Sequence, residues 1–326
     1  MNEQRFQLLS DLHLELYGDK PERLAELIQT IANDPKAPYL LIAGDLGHPF
    51  SPHYHDAIAA WSPAFVHICI VAGNHEFYCV GGSNERRSVA AILEQARAVC
   101  ARFPNVSFLH DSHVTLGGAA LIRARPLPPL KAGPEEGPEE GPEEKRMGAS
   151  PIVRVIGTPL WYSTKPSQMM AVMQRLNDYG CIWVDGLQVP GAGAEQRLEP
   201  LRPHHVNKWH NAHVLYLCKA IEQARVDGVP CVIMTHHLPS LKLISQQYQD
   251  SPLNFAFATP LDDLVSRAPV CAVVCGHSHA REMTTLGERA CPAYINAAGY
   301  PHEGGVNAAL RAGNCVINVS LTMKYS

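Results

Sequence analysis

Five apolar segments of the chain each end in a cluster of side chains that can bind metal ions. The clusters are Asp11-Leu12-His13, Gly44-Asp45, Gly73-Asn74-His75-Glu76, His236-His237 and Gly276-His277-Ser278-His279. In open α/β sheets, ligands bind in the crevice outside the carboxyl ends of the strands. If the five apolar segments are strands of such sheets, the five clusters converge on one site.

The residue types in these clusters predict a centre for two divalent metal ions. Asp11 and His13 are separated by one residue, as are His277 and His279, and side chains two positions apart in extended backbone point the same way. Nitrogen and oxygen ligands suit manganese, iron or zinc. Asp45 is the natural candidate to bridge both ions. Because only two aspartates face two divalent cations, the site keeps a positive charge that would attract phosphate.

The apolar segments alternate with helical patterns, and this alternation predicts an α/β fold. Strands are predicted at 5–10, 39–43, 67–71, 106–109, 119–123, 152–157, 231–235, 270–275, 281–286, 293–297 and 314–321, and helices at 21–33, 84–103, 167–178 and 203–227. Asn84 is predicted to cap the second of these helices. The end of the chain is rich in strands without helices between them, which indicates antiparallel pairing or a second sheet.

Composition favours a cytoplasmic globular protein. The 326 residues are 46% hydrophobic and 18% charged, so the chain can bury a sizeable core. It has neither an apolar run of the roughly eighteen residues that a membrane span needs nor an apolar signal segment at its start. The ten cysteines are scattered without a Cys-x-x-Cys pair, and they are predicted to be reduced thiols.

One segment differs in composition from the rest of the chain. The tetrapeptide Gly-Pro-Glu-Glu occurs three times in residues 133–144, and prolines precede it. We interpret residues 126–150 as a flexible, solvated insertion in a single domain of residues 1–326. An acidic docking segment is the alternative, although charge runs are usually only solvated. The net charge of −4 includes the six glutamates of the repeats, so neither the whole chain nor its remainder predicts binding to a nucleic acid polymer.

Taken together and in this order, the clusters resemble the signature of the calcineurin-like metallophosphoesterase superfamily. That signature runs D-x-H, G-D, G-N-H-[ED], H and G-H-x-H, and it covers the chain in spaced blocks from about Arg5 to Ala280. The resemblance implies a four-layer α/β/β/α sandwich with two mixed β-sheets and a binuclear metal site at the carboxyl ends of the strands.

The resemblance also implies a role for each matching residue. One metal would be held by Asp11, His13, Asp45 and His279, and the other by Asp45, Asn74, His236 and His277. His75 matches the position that faces the substrate. The catalytic residues would therefore be His75 and the bridging Asp45.

The second cluster departs from two branches of the superfamily. Protein Ser/Thr phosphatases carry G-D-x-x-D-R-G at this point, but this chain continues from Asp45 through Leu46 and Gly47 to His48, so the substrate-clamping arginine is absent. Nothing matches the metal-ligating tyrosine of purple acid phosphatases. The motif looks more like cytosolic members of undefined substrate. His48 and Arg281, which lie close to ligands in the sequence, and Tyr162, which follows a strand, are candidate substrate contacts.

These features predict a metal-dependent phosphoesterase that hydrolyses a phosphate mono- or diester by attack of a metal-bridging hydroxide. The substrate would be a small phosphorylated molecule, and a nucleotide is one possibility. A nucleotide phosphodiesterase or nuclease is the alternative within enzymes, and a non-catalytic scaffold with this fold is the alternative outside them. A scaffold that has lost its catalytic activity should also have lost some of the metal ligands, whereas every ligand position of the signature is filled here. The sequence leaves the metal identity and the oligomeric state open.

Overall fold

The computed structural model of the chain describes residues 3–17, 20–79, 86–117, 122–123, 152–186 and 197–321, with only the backbone for 122–123. The predicted insertion at 126–150, with its repeats, lies outside the described residues, and so does Asn84. The assignment of residues 1–326 to a single domain stays a prediction. Within the part that is described, none of the helices combines the length and the apolarity that crossing a membrane requires.

The described residues form fourteen strands. They are β1 (Glu3–Leu9), β2 (Tyr39–Ala43), β3 (His67–Val71), β4 (Val106–Phe108), β5 (Ser112–Leu116), β6 (Ile122–Arg123), β7 (Val153–Gly157), β8 (Trp183–Asp185), β9 (Leu198–Pro200), β10 (Cys231–Met234), β11 (Val270–Cys275), β12 (Arg281–Leu286), β13 (Cys291–Asn296) and β14 (Val316–Ser320).

Eight helices accompany these strands in the described parts of the chain, together with several 3-10 turns. They are α1 (Pro21–Asn33), α2 (Pro52–Trp61), α3 (Val89–Cys100), α4 (Met169–Arg175), α5 (Asp178–Cys181), α6 (Pro203–Val226), α7 (Asp262–Val265) and α8 (Gly305–Arg311). Helix α1 shows why such segments are helical. Its first residue is a proline, and its buried residues Leu24, Leu27, Ile28 and Ile31 follow the helical period.

The strands build two large mixed sheets. The first has the order β14-β1-β2-β3-β4, with β1 to β4 parallel and β14 antiparallel to β1. The second has the order β12-β13-β11-β10-β7-β5-β6, with β13, β11, β10 and β7 parallel and the other neighbours antiparallel. A separate pair is formed by β8 and β9.

An apolar core separates the two large sheets, and the outer face of each sheet is covered by helices. Side chains of the same strand alternate between these environments, since Leu8 lies in the core between the sheets while Leu9 packs with α1 and α2. On the second sheet, Val232 faces the first sheet, whereas Ile233 packs with α6. The predicted α/β fold with two mixed sheets is therefore confirmed.

The two sheets are also joined at the edge where β1 ends. The amide of Ser10 donates to the carbonyl oxygen of Asn296 at 3.1 Å, and the side chain of Asn296 donates to the carbonyl oxygen of Leu8 at 2.7 Å. Strand ends of both sheets therefore meet in one place, which is where the predicted ligands lie.

Two expectations from the sequence were wrong in detail. Helix α3 begins at Val89 rather than after Asn84, because the hydroxyl of Ser88 caps it by accepting the N–H of Ala91 at 3.2 Å. The end of the chain is not free of helices, since α8 lies between β13 and β14. The predicted antiparallel pairing is nevertheless present, in the β12–β13 and β1–β14 pairs.

Candidate metal centre

All seven predicted metal ligands lie together where the strand ends of the two sheets meet. In the first sheet, Asp11, Asp45 and Asn74 follow the carboxyl ends of the parallel strands β1, β2 and β3. In the second sheet, His236 and His277 follow the parallel strands β10 and β11. This is the crevice in which α/β sheets bind ligands.

Five of the seven predicted ligands have a left-handed backbone conformation. The φ angles are 54° at Asp11, 48° at His13, 53° at Asp45, 67° at His277 and 50° at His279. Side chains other than glycine seldom adopt such angles, and strained residues of this kind cluster at functional sites. The chain therefore bends sharply after these strands. Asp11 and His13 reach the same site from bent backbone, not from the extended backbone that their spacing suggested.

The first predicted ligand set is compact. The Nε2 atom of His279 lies 3.6 Å from Oδ1 of Asp11 and 3.1 Å from Nε2 of His13. Ligand atoms of these three residues all lie within 4.8 Å of one another, a spacing that one metal ion can span. Asp11 and His13 are fully buried.

The second predicted ligand set surrounds the buried imidazole of His236. Its Nε2 atom lies 3.1 Å from Oδ1 of Asn74, 3.2 Å from Nδ1 of His277 and 3.4 Å from Oδ2 of Asp45. Three side chains therefore direct potential ligand atoms at the same small volume. Asp11 also lies within this group, because its ligand atom is within 4.8 Å of those of Asp45 and His236.

Asp45 lies between the two sets. Its Oδ2 atom is 3.4 Å from Nε2 of His236 and 3.9 Å from Nε2 of His13, so one carboxylate oxygen faces an imidazole of each set. Its Oδ1 atom accepts the backbone N–H of His75 at 2.8 Å, which fixes the orientation of the carboxylate. This is the geometry that a bridging ligand requires.

Hydrogen bonds set the orientation of the Asn74 amide. Its Nδ2 atom donates to Oδ1 of Asp178 at 3.0 Å and to the hydroxyl of Tyr78 at 2.9 Å, and that hydroxyl donates to Asp178 at 2.6 Å. The Oδ1 atom of Asn74 therefore points away from Asp178 and toward His236. Residues behind the ligands commonly orient them in this way. Asp178 is buried, and sequence analysis gave neither it nor Tyr78 a role.

Glu76 holds the two turns that carry Asp45 and Asn74. Its carboxylate accepts the backbone N–H groups of Asp45 at 3.1 Å, Leu46 at 2.8 Å and Gly73 at 2.7 Å. Burial raises the pKa of Glu76 to about 7, although these hydrogen bonds oppose the shift. The acidic residue of the third motif thus supports the ligand loops from behind.

Glu15 contacts two histidines of the centre. Its Oε1 atom accepts from Nδ1 of His75 at 2.9 Å and from Nδ1 of His13 at 3.2 Å. Burial alone would raise the pKa of Glu15, but the hydrogen bonds from the two imidazoles outweigh it and lower the pKa to about 2. A ligand atom of His75 also lies within 4.8 Å of those of His13 and Asp45, so geometry alone allows His75 to be a ligand.

The C-terminal part of the chain completes the centre with residues that no motif contains. The Oε2 atom of Glu303 accepts from Nδ1 of His279 at 2.7 Å. The ring of Tyr300 packs against those of His279 and His13, with centroid distances of 4.4 and 4.8 Å. Sequence analysis missed both residues, because they come after the last ligand motif and do not themselves form a cluster of metal-binding residues directly after an apolar run.

The protonation of these groups fits divalent metal ions. Burial lowers the pKa of His236 to about 4 and that of His277 well below its usual value, so both imidazoles are neutral at pH 7 and can offer lone pairs. Burial and the nearby carboxylates of Glu76 and Asp11 raise the pKa of Asp45 well above its usual range. A cation between the carboxylates would remove this cost. The mixture of nitrogen and oxygen donors suits manganese, iron or zinc.

Residues 5–119 match the family model of the calcineurin-like phosphoesterases, and this stretch contains Asp11, Asp45 and Asn74 with the strands that position them. This part of the chain is therefore similar to the calcineurin-like phosphoesterases. The match supports a hydrolase that acts on ester bonds, and the matched family implies divalent metal ions.

Two known proteins are similar to this chain over most of its length. An uncharacterised protein, L509, of Acanthamoeba polyphaga mimivirus is 24% identical over 281 residues, which are 83% of each chain. The solved structure of the phosphopantetheinyl hydrolase PptH from Mycobacterium tuberculosis is 16% identical with a TM-score of 0.58, and the match covers 100% of this chain and 99% of that one. At this identity, the second similarity shows a shared fold.

A cavity of about 390 Å³ opens onto the candidate metal centre. Its lining contains Asp45, Asn74, His75, His277 and His279. Apolar and aromatic side chains also line it, namely Leu176, Leu238, Ile244, Tyr248, Ala256 and Phe257. Among the lining residues in the described ranges, Arg175 is the only arginine or lysine. Sequence analysis assigned no role to Arg175 or to these apolar and aromatic residues.

The three predicted substrate contacts are not among the described residues that line this cavity. Tyr162 is buried, and its hydroxyl donates to that of Tyr179 at 3.0 Å. The guanidinium of Arg281 donates to the carbonyl oxygens of Ala298 and Glu303 at 2.8 and 3.2 Å, so it supports the segment that carries Glu303. Nδ1 of His48 accepts the N–H of Phe50 at 3.3 Å, within its own loop.

One further cluster among the described residues brings ligand atoms of His110, Asp111 and His213 within 4.8 Å of one another. Nδ1 of His213 accepts the backbone N–H of Trp161 at 3.2 Å, so the proton of the neutral ring is on Nε2, which lies 4.0 Å from Oδ2 of Asp111. A protonated nitrogen cannot bind a metal ion. This cluster therefore lacks one of its three ligands.

Proposed function

We propose that the chain hydrolyses a small phosphate ester with two divalent metal ions bound at the candidate centre. Asp11, His13, Asp45 and His279 would hold one ion, and Asp45, Asn74, His236 and His277 the other. The observation that carries this proposal is the position of Oδ2 of Asp45, which faces Nε2 of His13 at 3.9 Å and Nε2 of His236 at 3.4 Å.

Divalent ions supply positive charge for the phosphoryl oxygens and lower the pKa of a water molecule so that it attacks phosphorus near neutral pH. The protein's part is to hold the ligands in place and to exclude bulk water. Asp45 is fixed by the N–H of His75, and Asn74 by Asp178 and Tyr78. Manganese is the first ion to test, with iron and zinc as the alternatives, because all three suit these donors.

We assign His75 to the leaving-group side of the reaction. Its backbone N–H is bound to Asp45, and its Nδ1–H is bound to Glu15, so the other ring nitrogen is left for the cavity that His75 lines. When the ring also carries a proton on this second nitrogen, it would donate that proton to the departing oxygen of the ester as the bond between that oxygen and phosphorus breaks, and the ring would be left neutral with its proton on Nδ1.

The cavity supports a substrate with an organic group beyond the phosphate. Its volume of about 390 Å³ falls in the range of small-molecule sites. Leu238, Ile244 and Ala256 contribute apolar surface to its lining. A protein or nucleic acid polymer is not required to fill such a site.

A nucleotide phosphodiesterase is the second candidate, and the aromatic side chains of the cavity favour it. The ring centroids of Phe257 and His277 are 4.8 Å apart. Tyr248, which lines the same cavity, is 53% exposed. Such rings stack on planar groups such as nucleobases. Arg175 also lines this cavity and could bind an additional anionic group of such a substrate.

A panel of esters with manganese added tests the proposed function. It should contain p-nitrophenyl phosphate, bis(p-nitrophenyl) phosphate, the p-nitrophenyl ester of thymidine 5′-phosphate and a phosphopantetheinyl ester, the last because the similar structure is that of a phosphopantetheinyl hydrolase. We expect metal-dependent turnover of at least one ester. A higher kcat/KM for the thymidine diester than for the bis(nitrophenyl) diester would favour the nucleotide candidate. No turnover of any ester with manganese, iron or zinc would contradict the proposal.

A further inference from the structure

Glu15 connects a predicted metal ligand with the predicted leaving-group residue. Its Oε1 atom lies 3.2 Å from Nδ1 of His13 and 2.9 Å from Nδ1 of His75, and the two rings pack against each other with centroids 4.3 Å apart. A carboxylate can only accept hydrogen bonds, so both imidazoles must carry a proton on Nδ1, whether or not the second nitrogen is protonated as well. One side chain thereby sets the tautomer of two histidines.

The fixed tautomers direct the other nitrogens to the positions where chemistry is expected. Nε2 of His13 faces His279 at 3.1 Å and Asp45 at 3.9 Å, as a ligand to the first metal must. His75 lines the cavity that opens onto the centre. Without an acceptor at Nδ1, either ring could rotate or change its tautomer, and the nitrogen that faces the site would differ.

The surroundings of Glu15 leave it little other function. Its side chain is 22% exposed, and Oε2 is buried without a hydrogen-bond partner among the described residues. It belongs to the 3-10 helix Leu14–Tyr17, which follows directly after His13 and brings the carboxylate back over that ring. The carboxylate thus has its hydrogen bonds, within the described chain, to the two histidines alone.

We infer that Glu15 is a positioning residue that holds His75 in the orientation for proton donation while it holds His13 in the orientation for metal binding. This inference rests on the proposed function, because it concerns the role of His75 in ester hydrolysis. It adds a residue to the site, and it makes the loop after β1 responsible for both metal binding and departure of the leaving group.

Two substitutions at Glu15 separate orientation from charge. Glu15→Gln keeps an oxygen that can accept from both Nδ1–H groups but removes the charge. Glu15→Met has a similar length and removes the acceptor. If Glu15 acts by orientation, Glu15→Met should lose about 10–100-fold in kcat, with a larger loss for alkyl phosphate esters than for nitrophenyl esters. Glu15→Gln should recover most of that loss.

Glu303→Met is the matched control. Glu303 accepts a hydrogen bond from Nδ1 of the predicted ligand His279, and among the described residues it has no hydrogen bond to His75. It should reduce activity through metal binding and therefore equally for alkyl and nitrophenyl esters. Glu15→Gln as impaired as Glu15→Met would show that charge, not orientation, matters. Equal losses for both ester types in Glu15→Met would also overturn the inference.

NMR spectra of the imidazole nitrogens provide a readout that does not depend on activity. At a pH where the ring of His75 is neutral, the wild-type protein, with and without metal, should show the Nδ1–H tautomer at His75, and Glu15→Met should show a mixture of tautomers. An unchanged His75 tautomer in Glu15→Met would overturn the inference even if no substrate is found. Conversely, absence of turnover in the wild type, together with the expected tautomer change, would contradict the proposed function and leave the positioning role of Glu15 supported.

Discussion

Oδ2 of Asp45 lies 3.4 Å from Nε2 of His236, although Asp45 follows a strand of the first sheet and His236 follows a strand of the second. The two sheets are therefore connected at their edge by groups that could share a metal ion. The carboxylate of Asp45 therefore links the two sheets at the site and places negative charge where a cation would bind.

Asp45→Ala should do more harm than any other ligand substitution, because it removes a ligand from both predicted metal sites. We expect at least a roughly 100-fold loss of turnover, beyond the usual effect of residues behind a ligand, and loss of metal by elemental analysis. Asp111→Ala is a suitable control, since Asp111 also has a left-handed backbone, with φ of 48°, and lies outside the centre. Full occupancy of both ions in Asp45→Ala would exclude the bridging role.

Gly44→Ala should displace His236. Gly44 has a φ of +86°, and a Cβ atom added to it would overlap the imidazole of His236. We expect a destabilisation of about 1–3 kcal/mol and weaker metal binding, measured by denaturant unfolding and metal titration. Gly180→Ala meets no atom within 4 Å and should change stability by no more than about 0.5 kcal/mol. Normal metal affinity in a folded Gly44→Ala protein would disprove this close approach.

His75→Asn should retain both metal ions and slow hydrolysis by roughly 10²–10⁴-fold. An alkoxide leaving group needs a proton and a nitrophenolate hardly does, so the loss should be larger for alkyl esters. Steady-state kinetics with both ester types, together with elemental analysis, would measure this. Equal losses would indicate that His75 stabilises phosphoryl charge instead. Loss of a metal ion would identify His75 as a ligand.

His213 should make the stability of the metal-free protein depend on pH. Burial lowers the pKa of its imidazole from 6.5 to about 3, so between these values the unfolded chain binds a proton that the folded chain does not. The free energy of unfolding should therefore fall as the pH decreases through this range, by about 1.4 kcal/mol per pH unit for this group.

His213→Asn isolates this effect, because an asparagine oxygen can still accept the N–H of Trp161. Denaturant unfolding at several pH values should show a slope smaller by about one proton in this variant. An identical slope in His213→Asn and the wild type would mean that His213 is protonated in the folded state.

The fold and the ligand positions could be predicted from the sequence because their signals are local. Each strand is a short apolar run, and Asp11, Asp45, Asn74, His236 and His277 follow such runs directly. Whether strands are parallel and which ends meet then follows from general rules of α/β sheets. These local signals were therefore enough to predict that the metal ligands lie close together in the fold.

The contacts behind the ligands could not be predicted, because they depend on tertiary structure and on local backbone bends. Asp178 is 104 positions from Asn74, and Glu303 is 24 positions from His279, so neither pair shares a sequence pattern. Glu15 continues the alternation that Asp11 and His13 begin, but it lies in a 3-10 helix. Its carboxylate therefore turns back over His13, which alternation in a strand would not predict.

The most direct test of the account is a metal titration of the chelated protein during turnover of an aryl phosphate ester. After chelation and dialysis, with metal content near zero, turnover should be lost. Added manganese should restore it in proportion to bound metal, up to two ions per chain. Undiminished turnover in the protein that contains no metal would contradict the account.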